Sequence, residues 1–285
     1  MINRGYNADD LRGEYSIVQT SAPTAEPVSL AMAKAHLRVD FTDDDALITA
    51  YITAARQLIE DWCGICLVRQ SWAYSFQQWY RWEIRIPRGF PLRSVDSIQY
   101  YDVNDALQTV DTSVYQVVTA SRPGRIRAVW NQVWPSVWYR MDAITVNHTS
   151  GYLLPTVADD TADTLTIPAH GLANGAIVRV YNTDNAFPGG LAAATAYYVV
   201  NATTDALQLS ATSGGSAIDI TSAGTGQTFL YQEQTPEALM AAIKLLIGHL
   251  YENRQEVVVE TGRATVQQIP LGVQSLIAPY RDYGL

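Results

Sequence analysis

The stretch TDDDALITAYITAARQLIEDWCG, residues 42–64, carries the reading of the fold. Leu47, Ile48, Tyr51, Ile52, Ala55, Leu58, Ile59 and Trp62 recur at three- and four-residue steps, which places them on one helical face. Thr42 with Asp45 reads as an N-terminal capping pair, Asp standing where Glu is usual, and Asp43 and Asp44 suit the positive end of the helix dipole. Gly64 then stops the helix in left-handed conformation. A shorter helix is expected before it, from Leu30 to Leu37, with Ser29 as its cap.

Outward from this helix the pattern changes. Between Ser71 and His148, short runs rich in Tyr, Trp, Val and Ile are broken by Pro87-Arg88-Gly89, Pro91, Asn104-Asp105, Pro123-Gly124 and Pro135, as strands and turns are. Ser97 to Val103 and Ala143 to His148 are the clearest strands. Residues 151–232 form a separate compositional block: nine of the 18 glycines, none of the seven tryptophans, and one basic residue, Arg179, against six aspartates. Strands are expected there at Thr164–Ile167, Ile177–Tyr181, Ala196–Asn201, Leu207–Ser210 and Gln227–Tyr231, between glycine-rich turns. A compact module can sit in a surface connection if its ends lie close together, because loop-closure entropy grows slowly with length. Thr235 and Pro236 start a further helix, whose apolar face runs through Leu239, Met240, Ile243, Leu246, Ile247, Leu250 and Tyr251.

A chain of 285 residues suits two domains, or one domain with a large insertion. Its 48% hydrophobic and 16% charged residues are enough for a buried core. With 19 Lys plus Arg against 28 Asp plus Glu, the net charge of −9 argues against a freely DNA-binding protein. Two cysteines make no disulfide scaffold, and the polar start Met1-Ile2-Asn3-Arg4-Gly5 lacks signal-peptide character, so synthesis in a cytoplasm is expected. No membrane segment is expected, since Ala238 to Tyr251 is too short and contains Lys244 and His249.

No catalytic residue, cofactor or metal is assigned. Trp62-Cys63-Gly64-Ile65-Cys66 has the C-x-x-C spacing of thioredoxins. Cys63, however, falls at the negative end of the long helix, which disfavours a thiolate, and buried structural cysteines fit better. A closed zinc site needs four ligands, whereas His36, His148, His170 and His249 are scattered. His249 sits between core positions as a packed or interface residue. The run Asp43 to Asp45 lacks the alternating ligands and distal Glu of a calcium loop. Nucleophile-elbow, zincin and phosphate-loop motifs are absent.

The middle of the chain is basic and aromatic. Arg69, Arg81, Arg85, Arg88, Arg93, Arg122, Arg125, Arg127 and Arg140 outnumber Glu83, Asp96, Asp102, Asp105 and Asp111. Arginine with Trp and Tyr is interface composition; stacking on single-stranded nucleic acid is the competing reading. The opposite charge exists at Asp40 and Asp43 to Asp45. Arg81, Arg85, Arg88, Arg125 and Arg127 on one copy meeting Asp40, Asp43, Asp44 and Asp45 on the next would be a head-to-tail contact, and such contacts close into rings. Beyond Arg254 some thirty residues show no long amphipathic face. They fit an arm laying Val273, Leu276, Ile277 and Tyr280 into a neighbouring chain; the alternative is that they fold back on their own core.

Pro27-Val28-Ser29-Leu30, Ala33-Lys34-Ala35-His36-Leu37-Arg38-Val39-Asp40, Asp43 to Asp45 with Leu47-Ile48, and Ala54-Ala55-Arg56 through Ile59-Glu60 resemble the opening of the head-tail connector (neck adaptor) proteins of tailed bacteriophages. Pro91-Leu92, Ser94-Val95 and Ile98 to Asp102 resemble that family's central strand region. Pro236 through Ile243, Leu245-Leu246 and His249 to Arg254, followed by Ile269-Pro270, Gly272-Val273, Leu276-Ile277 and Pro279-Tyr280-Arg281, resemble its last helix and tail. The block between departs from the family: Pro168 to Leu172, Asn174-Gly175 and Tyr197 to Val200 look like a small β module recurrent in phage structural proteins.

The resemblance implies a non-enzymatic virion protein of the neck: a homo-oligomeric ring, dodecameric in most members, below the portal protein. Such a ring extends the DNA channel, passes duplex DNA without sequence-specific binding, and presents a platform for a stopper or tail-completion protein. It also implies a portal-binding arm, by position Ile269, Pro270, Val273, Leu276, Ile277, Pro279, Tyr280 and Arg281. The fold class expected is α+β, with α-helices packed on a central antiparallel β region, an inserted all-β domain and an extended C-terminal arm. The boundaries are an N-terminal extension 1–25, a connector core 26–152, the insert 153–233, the last core helix 234–255 and the arm 256–285. A second reading is a tail-associated protein that binds a host glycan or receptor through Tyr181, Tyr197 and Tyr198 of the insert.

Overall fold

The structure, a computed structural model, describes residues 15–80, 83–232, 237–253, 257–260, 263–266 and 270–281. In chain order the elements are β1 (Tyr15–Ser21), α1 (Leu30–Leu37), α2 (Asp45–Cys63), β2 (Gln70–Phe76), β3 (Ile84–Arg85), β4 (Leu92–Tyr101) and β5 (Leu107–Thr109). Next come β6 (Tyr115–Val118), β7 (Arg125–Ala128), β8 (Ile144–Ser150), β9 (Leu154–Asp159), β10 (Thr164–Thr166), β11 (Ile177–Asn182) and β12 (Tyr197–Val200). The chain closes with β13 (Ala206–Ser210), β14 (Thr228–Tyr231), α3 (Glu237–Glu252), β15 (Val257–Glu260), β16 (Arg263–Val266) and α4 (Leu271–Ile277). This is the mixed α+β class expected. The helix start at Thr235 and Pro236 lies outside the described residues, as do Arg81 and Ile269.

Two compact units share the chain, one of 1–22 with 69–151 and the other of 23–68 with 152–285. The first holds an antiparallel five-stranded sheet in the order β1-β2-β8-β4-β5 and a three-stranded sheet in the order β3-β7-β6. Strict alternation in β2 sends Trp72, Tyr74 and Phe76 inward and Ser71, Ala73 and Ser75 to the other face. Register continues the pattern, Tyr74 opposite Val146 and Phe76 opposite Ile144, with Ile98 and Tyr100 beyond them on β4. Ile84, Tyr115 and Ile126 of the small sheet join these residues in one core. Hydroxyls and amides pair across the opposite face, Ser71 with Thr149 at 3.0 Å, Ser75 with Thr145 at 2.9 Å, and Asn147 donating to Ser97 at 3.0 Å. Residues 15–21, read from sequence as part of an extension, supply the edge strand of this sheet.

The second unit combines a helical layer with a closed six-stranded barrel in the order β10-β13-β12-β11-β14-β9. The barrel is the glycine-rich block; closure removes its sheet edges and encloses Leu165, Val178, Val180, Val199, Leu207, Leu209 and Leu230. In the helical layer Ser29 caps α1 by accepting a hydrogen bond from Met32 N at 3.1 Å. Ile48, Ile52, Ala55 and Ile59 form the buried face of α2, and Gly64 ends it with φ of 64°. The expected Thr42–Asp45 capping pair is not formed. Asp44 is the N-cap and makes no side-chain cap bond: its carboxylate accepts from the Tyr251 hydroxyl at 2.6 Å, while Asp45 pairs with Lys34 at 2.6 Å. Tertiary donors outbid the helix's own amides for both carboxylates.

An ion triad around buried Arg56 and Glu60, with Glu26 partly buried, connects three segments of this unit. Arg56, 4% exposed, donates from Nε to Glu26 at 2.7 Å and from Nη1 to Glu60 at 2.6 Å. The other Glu60 oxygen accepts from the Leu67 amide at 2.7 Å, and Thr53 donates to Glu26 at 3.0 Å. Burial works to lower the Arg56 pKa, but hydrogen bonds and charge from the two glutamates outweigh it and the net shift is upward. The chain then runs from Leu67 into a short parallel bridge, Val68 with Leu153, where the barrel begins.

The tail corrects the sequence reading. Residues 271–280 are not extended: α4 packs on α3, Val273 and Ile277 are fully buried, and the Cys63 thiol lies 3.9 Å from the Ile277 carbonyl. A two-turn helix puts residues four apart on one face, and that face finds its apolar partner within the same chain.

Replacing Arg56 by Met should destabilise the protein by about 3 kcal/mol, because the buried Glu60 carboxylate and the partly buried Glu26 lose their counter-charge. Replacing exposed Arg127 should change stability by less than about 0.5 kcal/mol. Urea unfolding of both variants checks the contrast.

Candidate functional site

The candidate surfaces are those that meet other chains. β3 and β7 place Arg85 directly opposite Arg125, and Arg127 follows two residues on, all three exposed. Glu83 pairs with Arg85 at 2.8 Å and Arg125 at 3.7 Å, so one carboxylate serves two guanidinium groups and the strip stays basic. Period-two alternation generates this strip: Ile84 and Ile126 point into the core and their arginine neighbours point out. Arg88 does not belong to the strip; it is partly buried, with its guanidinium 4.8 Å from the centre of the Trp72 ring.

The acidic group divides in the same way. Asp40 and Asp43 are exposed at the start of α2, whereas Asp44 and Asp45 are engaged with Tyr251 and Lys34 inside the unit. Of the proposed portal residues, Val273 and Ile277 are buried, Pro270, Leu276 and Tyr280 are partly buried, and Pro279 and Arg281 are exposed. Val273 and Ile277, read from sequence as anchors for another chain, are packed within this unit.

The tyrosines read as a glycan platform do not form one. Tyr197 is in the barrel core with its hydroxyl accepting from Ala192 N at 2.8 Å. Tyr181 stacks near Phe229, donates to the Pro27 carbonyl at 2.8 Å, and is pushed up to about 12 by burial, with Glu237 and Asp184 adding to the shift. It joins the barrel to the helical layer. Tyr198, like Tyr181, is partly open. A cleft of about 270 Å³ lies beside this junction, with Glu26 and Asp184 on its walls, but Glu26 is held by Arg56.

Cys63 and Cys66 are both buried thiols. Among the described residues no group of three His, Cys, Asp or Glu side chains could hold a metal ion, and no helix is long and apolar enough to cross a membrane. Sequence reasoning missed His148 and the loop after β7. His148 looked like one of four scattered histidines, yet it sits fully buried between Trp72 and Val95 in the five-stranded sheet. Burial lowers its pKa, only partly opposed by the Arg88 and Val146 backbones and the Asp96 charge. Its place in the alternating buried positions of β8 was the available signal.

Three solved structures of similar fold come from gene transfer agent particles. The chain superposes on one in the neck of an empty gene transfer agent (GTA) particle, computed with C6 symmetry, at a TM-score of 0.54 and 15% identity, covering 95% of this chain and 97% of that one. A chain in the neck of the native GTA particle, computed with C12 symmetry, gives 0.52 and 14%, with 95% and 97% covered. One in the native GTA virion gives 0.52 and 15%, with 94% and 96% covered. The uncovered twentieth is too short to contain the barrel block, so the barrel belongs to the shared fold. Residues 27–112 match the family model described as phage gp6-like head-tail connector protein. The resemblance read from Pro27 to Glu60 and from Pro91 to Asp102 is thereby borne out. No curated protein matches the chain significantly.

The His148 shift has a definite sign. The folded protein resists protonating this imidazole, so the unfolded chain takes up the proton first as pH falls below its ordinary value of about 6.5. Stability is therefore full above that value and declines below it by up to about 1.4 kcal/mol per pH unit, until the folded form also protonates. Urea unfolding at pH 7.5 and 5.5 should show this decline, and His148→Phe should reduce it.

Proposed function

We propose that this chain is a structural connector in the neck of a phage-like particle, assembling as a twelve-copy ring below the portal protein. The match of residues 27–112 to head-tail connectors carries the reading. The nearly full-length likeness to chains from GTA necks, computed with six- and twelve-fold symmetry, supports the location and the ring. The ring extends the DNA channel and offers a platform to a stopper or tail-completion protein. The role requires no catalysis and no cofactor. A net charge of −9 suits a conduit that lets duplex DNA pass, since tight phosphate contacts would hold the DNA in place.

Between copies, Asp40 and Asp43 of one chain meet Arg85, Arg125 and Arg127 of the next. The two groups are on separate units and both are exposed, as a head-to-tail contact requires. Toward the portal, Pro279, Tyr280 and Arg281 remain the contact residues, with Leu276 at their margin. Val273 and Ile277 hold the helix that presents them.

The protein mixed with its portal ring and imaged by electron microscopy should give closed rings stacked on portals. Reversing charge in Arg125→Glu with Arg127→Glu, or in Asp40→Lys with Asp43→Lys, should weaken ring filling at least tenfold, and mixing the two variants should restore part of it. Unaltered ring filling in every variant refutes the charged contact, and failure of the unmodified protein to bind portals refutes the connector reading.

A further inference from the structure

The segment between β7 and β8 exposes more apolar surface than any other described loop. Trp130 is 96% exposed, Val133 83%, Tyr139 83% and Met141 87%, all within twelve residues. Scattered apolar side chains on a surface need no explanation, but a run of this size does. At about 150–250 Å² per aromatic side chain and somewhat less for Val and Met, the four offer on the order of 700 Å². One partner's share of a specific interface is about 800 Å².

The loop is held in place from its inner side. Trp134 stacks on Trp79 with ring centres 4.5 Å apart and planes 7° from parallel, and Trp79 Nε1 donates to the Pro135 carbonyl at 2.7 Å. Farther along, the Trp138 amide donates to the Tyr101 carbonyl at 2.9 Å and the Arg140 guanidinium lies 3.8 Å from the centre of the Tyr101 ring. Arg140 also pairs with Asp142 at 2.6 Å and Asp105 at 3.0 Å. The exposed side chains are therefore presented on an ordered frame, which lowers the entropy cost of docking them.

We propose that this loop is the apolar centre of the contact between neighbouring copies, seated on the next chain of the ring; this rests on the connector reading above. Two observations select a second copy as the occupant. The loop begins two residues after β7, so its apolar side chains continue directly from Arg125 and Arg127, the charged rim assigned to the same contact. The loop's own two charges, Arg140 and Asp142, cancel as an ion pair at 2.6 Å, whereas the whole chain carries −9. Copies that repel one another overall associate best through a surface that is locally neutral and apolar.

The test uses the full chain with its portal ring. Replacing Trp130, Val133, Tyr139 and Met141 together by Ser should leave the near-ultraviolet circular dichroism of the Trp79–Trp134 pair intact. Apparent affinity for the ring should fall at least 100-fold, and steep, all-or-none filling of portals should change to independent binding of single copies. In the otherwise unaltered chain, a photo-crosslinker at Tyr139 should join two copies of this chain in assembled necks. Equal, cooperative filling by the Ser variant, or a crosslink at Tyr139 to the portal, stopper or tail polypeptide, overturns the loop assignment while the connector reading stands. A wild-type chain that stays monomeric with portals present overturns both.

Discussion

The Arg56 guanidinium, buried between Glu26 and Glu60, is the interaction on which the helical half of this protein depends. A buried arginine–glutamate pair is tolerable only when its donors and acceptors are used, and here the partly exposed Glu26, Thr53 and the Leu67 amide complete the set. The consequence is positional. Glu26 fixes the segment that enters α1, and Glu60 fixes the strand-like passage after α2, from which Leu67 and Val68 reach Leu153 at the root of the barrel. A purely apolar core of similar volume could match the stability, but it would specify less sharply where those two connections run.

From that frame the rest of the second unit follows by burial. α3 covers α2, α4 covers α3, and Tyr181 ties the barrel to Pro27 beside the triad. The first unit is built on a different principle, an alternating sheet whose inner face is aromatic and aliphatic and whose outer face is hydroxyl and amide. Its inner layer pushes arginines outward on β3 and β7 and carries the Trp79–Trp134 stack that supports the exposed loop. The basic strip and the exposed apolar loop thus sit on one continuous piece of chain.

A connector role makes sense of features that look wasteful in an isolated chain. The chain is acidic overall, a basic strip persists despite that acidity, and large side chains face water on an ordered loop. Each becomes useful once identical copies surround a common axis, because a head-to-tail contact needs two unlike surfaces on every copy.

The sequence by itself determined the elements whose periodicity is local: α1 with its Ser29 cap, α2 with its buried stripe and Gly64 stop, the glycine-rich β block, and the connector resemblance of Pro27 to Glu60 and Pro91 to Asp102. Only the tertiary structure decided which polar and apolar groups were already spoken for. Asp44 and Asp45 looked like helix-capping and surface charges until Tyr251 and Lys34 claimed them; Val273 and Ile277 looked like free anchors until α3 covered them. Tyr181 and Tyr197 looked like a platform until the barrel and helical layer absorbed them. The physical reason is common to all. A repeat of 3.6 or two residues is written along the chain, whereas the partner of a carboxylate or an apolar face comes from a segment up to two hundred residues away, and nothing local encodes that meeting.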